Sequence, residues 1–398
     1  MLSVKAALER LLTAVDPLGT EDVPLDAALG RVAARAVTAP VAVPPFTNSS
    51  MDGFAVRGAD VPGTLRLVGE VRAGSVRHDE LAIRTAVRIM TGAPLPPGAD
   101  TVLPQELAEV TGETVHVGGN APRPGSFVRR AGEDTTPGDE VVGAGDELTP
   151  ARIAVLASCG VAVVSVRRRP RVAVLSTGDE ITPPGERLRP GAIYDANSPA
   201  LAAAVREAGG DPLPQPATGD DRSLIERRLR DAAEQTDAVL VSGGVSVGDH
   251  DHVRTAIERL GTLDFWKIRM QPGKPLAFGR IGGTPVIGLP GNPVSALVTF
   301  EVFVRPMLRR FLGTTGDGRV HVVAHAREPI PKDAARRAYL RVRLHATASG
   351  YEATSAGGQS SGQLRPLADA NALLVVPEGV ERAEPGTEYE AIVVGALA

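Results

Sequence analysis

Three short stretches in the middle of this 398-residue chain carry residue types suited to binding an anion. They are Ser176-Thr177-Gly178-Asp179-Glu180, then Ser242-Gly243-Gly244-Val245-Ser246-Val247-Gly248-Asp249, then Leu289-Pro290-Gly291-Asn292-Pro293-Val294-Ser295. Paired glycines after an apolar run let backbone approach a ligand closely, and free N–H groups can cradle an anion. Ser242 and Ser246 add hydroxyl donors. Asn292 and Pro293 read as the N-cap and first residue of a helix, whose leading N–H groups lack partners. A tight turn or a plain capped helix would explain either loop alone. Both at one sheet edge point to a phosphorylated small molecule. Asp179, Glu180, Asp220, Asp249 and Asp251 fall at or near the same strand ends. Carboxylates there would repel a phosphate unless a cation intervenes, and Mg²⁺ takes oxygen ligands from both. Asp220 and Asp221 precede a helix and equally suit a capping role. The chain has 43 Lys and Arg, yet only Lys5, Lys267, Lys274 and Lys332 are lysine. Two of these four fall close together, which suggests a need for a compact cation there unless chance placed them so.

The elements that must position these loops alternate strand and helix. Strands are expected at 171–175, 238–241, 265–270, 275–278 and 286–289, and helices at 200–208 (capped by Ser198, with Pro199 in the first turn), 221–233, 253–260 and 294–311. Alternation with continuous apolar strands predicts a mostly parallel sheet covered on both faces. Ligands then bind beyond the carboxyl ends of the strands. Before this region come a helix at 4–15 ended by Pro17 and a short helix at 25–29. Short strands follow at 65–68, 86–90, 101–104, 114–117 and 127–129, then a helix at 150–160 and a strand at 161–166. After it come strands at 320–324, 339–344, 373–376 and 389–394.

The formal net charge is -4, with no basic stripe, so a nucleic-acid role loses support. No apolar run reaches the ~18 residues of a membrane span, and the first ten residues do not read as a signal peptide. A single cysteine, Cys159, excludes an internal disulfide and a cysteine metal cluster, and is expected as a buried thiol. The cytoplasm is the expected compartment.

Residues 171–311 resemble the MogA-like molybdopterin-binding fold, and the whole chain resembles the MoeA family of molybdopterin molybdenumtransferases, which includes the E domain of gephyrin. The matching strings are PPFTNSSMDGFAVR at 44–57, RIMTGAPLPPGAD at 88–100, RAGED at 130–134, STGDE at 176–180, IYDAN at 193–197, SGGVSVGDHD at 242–251, QPGKPLA at 271–277 and LPGNPVSAL at 289–297. They keep the family's order over nearly the full length. The resemblance implies a multidomain α/β plus β fold. Its parts are a helical linking domain (1–38 with 138–168), a small β-rich domain (39–137), the molybdopterin-binding α/β domain (169–314) and a C-terminal β domain (315–398).

The resemblance also implies the reaction. Molybdate and adenylylated molybdopterin are the substrates, molybdenum enters the dithiolene, AMP leaves and Mg²⁺ assists. Asp52, Thr91 and Asp134 match active-cleft positions that face a neighbouring subunit in the family's homodimers. Glu180, Asp220 and Asp251 match acids tied to Mg²⁺ and adenylate hydrolysis. Ser176, Thr177, Gly178 and Asp179 form one loop of the site. Ser242, Gly243, Gly244 and Ser246 match the pterin-phosphate loop, joined by Pro290, Gly291, Asn292, Pro293 and Ser295. Lys267 and Lys274 match cations near the phosphates and molybdate. Pro275, Arg341 and Ser361 match the proposed molybdate pocket. Gln271 stands where many relatives have a second lysine, with Arg269 nearby as a substitute, and GGQSSGQL around Ser361 matches loosely. Transient contact with the adenylyltransferase and with molybdoenzyme chaperones is a further expectation. Three alternatives stay open on sequence: the adenylyltransferase of the preceding step, a non-catalytic scaffold of the gephyrin type, and a tungsten-inserting paralogue.

Overall fold

The computed structural model describes residues 1–244 and 252–397. The chain forms two compact units, one of Asp22–Leu29 with Arg35–Ser165, the other of Met1–Glu21, Gly30–Ala34 and Val166–Ala398.

The second unit holds a six-stranded sheet in the order Asp211–Pro214, Arg171–Ser176, Ala238–Ser242, Thr284–Leu289, Ala277–Ile281, Thr262–Trp266. The first four strands are parallel. Ala277–Ile281 pairs antiparallel with Thr284–Leu289, because Gly282-Gly283 joins them as a two-residue hairpin, which can only reverse the chain, and Thr262–Trp266 pairs antiparallel with Ala277–Ile281 in turn. Along the central strands Val172, Val174, Leu240 and Ile287 enter one core, while Ala173, Leu175, Val239, Val241 and Val286 enter another. Burial on both faces is why these strands read as unbroken apolar runs. Helices Asn197–Glu207 and Pro293–Thr299 cover one face; Arg222–Gln235 and His252–Leu260 cover the other.

The expected long helix at 294–311 is interrupted. A π-helical turn, Phe300–Val304, separates Pro293–Thr299 from Arg305–Phe311. Just past that turn Arg305 is only 3% exposed. Its guanidinium is held by Glu301 at 2.8 Å and by Glu207 at 2.5 Å. Arg319 binds the same two carboxylates, so the buried charges are paired. The first helix, Val4–Thr13, is capped by Ser3, and its buried Ala7 and Leu11 join the core of Phe303 and Met307.

The C-terminal strands number more than the four expected. Arg337–Thr347 pairs with both Gly350–Ser355 and Ala372–Val376, and the ladder through His321–Ala326 and Glu388–Val393 closes the sheet on itself. Closure leaves these strands without a free edge. Met270–Gln271, from the α/β part, pairs in parallel with Arg337–Ala338.

The other unit contains a six-stranded sheet in the order Thr101–Pro104, Gly53–Val56, Thr85–Ile89, Gly63–Val71, Thr114–Val117, Ala108–Thr111. Gly53–Val56, unforeseen in the sequence, lies inside it, paired on both sides. Phe54 and Val56 point into one core and Ala55 into another. The helix expected at 25–29 is a single 3₁₀ turn, Leu25–Ala27. Helix Pro150–Ser158 is capped by Thr149, and Cys159 at its end is fully buried, as expected of a structural thiol. No helix among the described residues is long and apolar enough to cross a membrane.

Two predictions follow from this packing. A Cβ added at Gly53 would lie 2.0 Å from the Leu103 carbonyl oxygen. G53A should therefore destabilise its unit by roughly 2–4 kcal/mol in denaturant unfolding; an unchanged midpoint would contradict the close approach. His321 sits between Asp317 (2.9 Å) and Glu390 (2.7 Å). Burial opposes its charging, but the two carboxylates outweigh burial and raise its pKa. A raised folded-state pKa gives stability that is fully present below the unfolded value of about 6.5 and lost as pH rises through the folded value. H321N should lose most stability relative to wild type in acid and progressively less towards pH 9; a pH-independent difference would rule this out.

Candidate ligand-binding site at the strand ends

Ser176, Ser242 and Leu289 stand in register at the carboxyl ends of three adjacent parallel strands, so the three loops begin side by side. The ladder continues past the strands: the Thr177 N–H donates to the Ser242 carbonyl (2.9 Å) and the Gly243 N–H to the Leu289 carbonyl (3.2 Å). Gly243 has φ of 95°, and a Cβ there would lie 2.5 Å from the Thr177 carbonyl oxygen. Only glycine lets the second loop lie this tightly against the first. Thr177 is 5% exposed, and its Oγ1 has no hydrogen-bond partner among the described residues.

A corner before helix Asn197–Glu207 joins all three loops. Sequence places the cap at Ser198, but the structure gives that work to Asp195. Its Oδ1 accepts the N–H groups of Asn197 and Ser198, both at 3.0 Å, and the Ser176 hydroxyl at 3.2 Å. The Ser198 hydroxyl donates to Asp195 Oδ2 at 2.6 Å. The helix therefore starts at Asn197, one residue before the expected cap. The Asn197 side-chain amide donates to Ser242 Oγ at 2.5 Å and to the Gly291 carbonyl at 2.8 Å. Asp195 and Asn197 were missed as site residues. The Asp-Ala-Asn-Ser order is a capping signature that could have revealed them.

The acids divide by role. Asp179 Oδ1 accepts the Asp220 N–H at 3.0 Å, which fastens the loop of Asp220 beside that of Glu180. The carboxylates of Glu180 and Asp220 are exposed, and neither takes part in an ion pair among the described residues. Ser246 and Asp251, with Asp249, lie outside the described residues. Among the described residues no three His, Cys, Asp or Glu side chains converge as a metal cage. Mg²⁺ commonly takes only one or two carboxylates and completes its shell with phosphates and water.

The cations lie on a loop tied to the C-terminal barrel. Lys267 has φ of 72°, uncommon for a residue with a Cβ, and its Nζ lies 3.6 Å from the Trp266 ring centroid. Lys274 and Pro275 are half-buried farther along. Gln271 accepts the Asp333 N–H at 2.8 Å, so this departure from the lysine pattern has a structural part to play. Arg269 beside it is exposed.

Arg341 is fully buried. Its Nη2 donates to the carbonyls of Gly358 (2.8 Å) and Ser360 (3.2 Å), while Nε and Nη1 have no partner among the described residues. Burial lowers its pKa from the usual arginine value. Ser361, on the same segment, accepts from Asn292 Nδ2 at 3.1 Å. Asn292 occupies the expected N-cap position of helix Pro293–Thr299, yet its side chain makes no cap bond. The amide reaches the C-terminal domain instead. Pro290 and Ser295 are buried, and Gly291 and Asn292 exposed.

In the other unit, Asp52 and Thr91 meet. Asp52 Oδ1 accepts both the N–H and the hydroxyl of Thr91, each at 2.7 Å, and these two bonds lower its pKa. The pairing of Gly53 with Ile89 brings the two strand ends together. Asp134 is exposed, and its N–H donates to the Val43 carbonyl at 3.0 Å; no hydrogen bond joins it to Asp52 or Thr91.

A cavity of about 810 Å³ lies between helix Val4–Thr13 and the C-terminal barrel, but none of these site residues lines it.

Known proteins give a consistent comparison. Residues 2–160 match the MoeA N-terminal region (domain I and II), residues 173–310 a "Probable molybdopterin binding domain", and residues 323–394 the MoeA C-terminal region (domain IV). The molybdopterin molybdenumtransferase 2 of Mycobacterium tuberculosis is 40% identical over 383 residues, 92% of this chain and 93% of that protein. The molybdopterin molybdenumtransferase of Haemophilus influenzae is 37% identical over 79% of this chain and 78% of its own length. The crystal structure of the molybdopterin biosynthesis MoeA protein from Pyrococcus horikoshii is 28% identical, with a TM-score of 0.85 over 99% of this chain and 100% of that one. With all three regions matched in order and relatives aligned over most of their length, the chain belongs to the MoeA family of molybdopterin molybdenumtransferases.

Proposed function

We propose that this enzyme uses molybdate to convert adenylylated molybdopterin to molybdenum cofactor with release of AMP. The observation that carries the reading is Arg341. A guanidinium with no exposed surface, held among the described residues only by carbonyls and with two nitrogens unpartnered there, is unfavourable unless an anion joins it. A tetrahedral oxyanion such as molybdate matches its fork of donors. Ser361, fixed by Asn292 from the third strand-end loop, puts a hydroxyl on the same segment.

The other residues divide the remaining work. Ser176, Thr177, Gly178, Ser242, Gly243, Gly244, Pro290, Gly291, Pro293 and Ser295 would hold the pterin phosphate, with Ser246 from the neighbouring segment. Lys267, Lys274 and Pro275 would flank the phosphates and the oxyanion. Glu180 and Asp220, with Asp251, would hold Mg²⁺, which supplies charge neutralisation on the phosphoanhydride. Water attacks the adenylyl phosphorus, the P–O bond to the pterin phosphate breaks, and AMP and a proton leave. Asp52 holds Thr91 with two short bonds, and Asp134 joins them in the proposed active set. The one cysteine is buried at a helix end, so sulfur for the metal comes from the pterin dithiolene. A homodimer, a cytoplasmic location, transient contact with the preceding adenylyltransferase and the four-domain division complete the proposal.

The reading predicts AMP release from adenylylated molybdopterin that depends on molybdate in the presence of Mg²⁺. Binding of the adenylate without any molybdate-dependent AMP would defeat it. Replacing Arg341 separates function from folding. Exchange of Arg341 for methionine removes the cost of a buried charge and also the donor of the Gly358 and Ser360 carbonyls, two effects of opposite sign. R341M should keep its melting midpoint within a few degrees while turnover falls by about 100-fold or more, the scale of losing a preorganised oxyanion contact. A collapsed midpoint with turnover retained would assign Arg341 to structure instead.

A further inference from the structure

Asn197 is half of a two-residue corner that touches every strand-end loop. Asp195 takes the first loop through Ser176. Asn197 takes the second through Ser242 and the third through Gly291, with both hydrogens of one amide. All three side chains are nearly closed to solvent: Ser242 and Ser176 at 2% exposure, Asn197 at 9%.

The direction of these bonds matters. The Gly291 carbonyl can only accept, so the Asn197 nitrogen must face both it and Ser242. Ser242 Oγ therefore accepts from Asn197. A hydroxyl has one proton, and with an oxygen lone pair engaged by the amide, that proton is free to donate elsewhere. No other hydrogen bond of this hydroxyl is formed among the described residues. A phosphate oxygen is an acceptor with no proton to offer, so it matches a serine presented in this sense.

We propose that Asn197 is a positioning residue for the phosphate group of the pterin: its amide occupies an acceptor site of Ser242, leaves the hydroxyl proton free to donate to the phosphate, and fixes the spacing of the second and third loops. This rests on the pterin-phosphate reading of the Ser242 loop. It adds a residue outside the loops that sets the polarity of one of them.

The test is a double-mutant cycle on the full chain, with molybdopterin itself as the probe. Binding is read by calorimetry and needs no turnover. N197A should raise the dissociation constant by about tenfold in the wild-type background but by less than about threefold once S242A has removed the hydroxyl. S242A alone should also weaken binding by about tenfold, the worth of a hydrogen bond to a charged group. Melting midpoints are measured beside each constant. A purely structural Asn197 would lower the midpoint and weaken binding by the same factor in both backgrounds; that multiplicative result overturns the proposal. If N197A fails to fold, N197S, which loses the amide but keeps a small polar side chain, carries the same cycle and the same expected coupling. Absent AMP release with molybdopterin still bound and coupled would reject the proposed reaction and leave this inference standing. No binding of molybdopterin by wild type would overturn both.

Discussion

A charge that has left water must be compensated somewhere, and much of this site is organised around one that is not compensated by protein alone. Moving a guanidinium indoors costs several kcal/mol even after relaxation. Arg341 meets that cost only in part, through two carbonyls of the 358–360 segment. The segment is itself bound to the Arg341 backbone, since Gln359 accepts the Arg341 N–H and donates to its carbonyl. The arginine and the loop that holds it thus fold as one piece. Two links tie that piece to the α/β domain: Asn292 to Ser361, and the parallel pairing of Met270–Gln271 with Arg337–Ala338. The oxyanion reading follows from this arrangement, because the uncompensated donors are built into the closed barrel rather than carried on a mobile side chain.

The strand-end loops obey a different constraint, the parallel sheet. Strands in register deliver Ser176, Ser242 and Leu289 to one line. Their buried side chains on both faces make that line rigid, since a packed core resists small displacements. Loops leaving a rigid line would still splay without cross-links. Gly243 packed against Thr177, and the Asp195–Asn197 corner, supply them.

The sequence made the α/β rhythm and the three loops legible, because apolar strands, glycine pairs and helix caps are local signals. What it hid depended on distance. Gly53–Val56 looks like a turn because Asp52-Gly53 is turn text, yet the glycine is there to let the Leu103 carbonyl approach. The antiparallel edge hides in the Gly282-Gly283 connection, and the closed barrel in a pairing of residues more than thirty apart, Leu340 with Leu374. Cap identity failed at Ser198, whereas at Asn292 the cap position held and only the side-chain bond did not form. Ser198 and Asn292 are good capping types, but a nearby Asp195 outcompeted the first and a distant Ser361 claimed the second. Propensity states what a side chain can do locally; tertiary partners decide what it does.

The same competition explains the departure at Gln271. A lysine there would add a cation to the loop of Lys267 and Lys274 but could not accept a hydrogen bond. Gln271 accepts the Asp333 N–H, and its backbone pairs with Ala338, three residues before Arg341. One more positive charge is exchanged for a firmer junction between the cation loop and the strand bearing the buried arginine. With Lys267 held in a left-handed backbone against Trp266, and Arg341 locked by its own loop, the site favours fixed cations over many cations. For a reaction that must place a molybdate-sized oxyanion beside two sulfurs, fixed position is worth more than added charge, because preorganised donors need not rearrange as the bonds change.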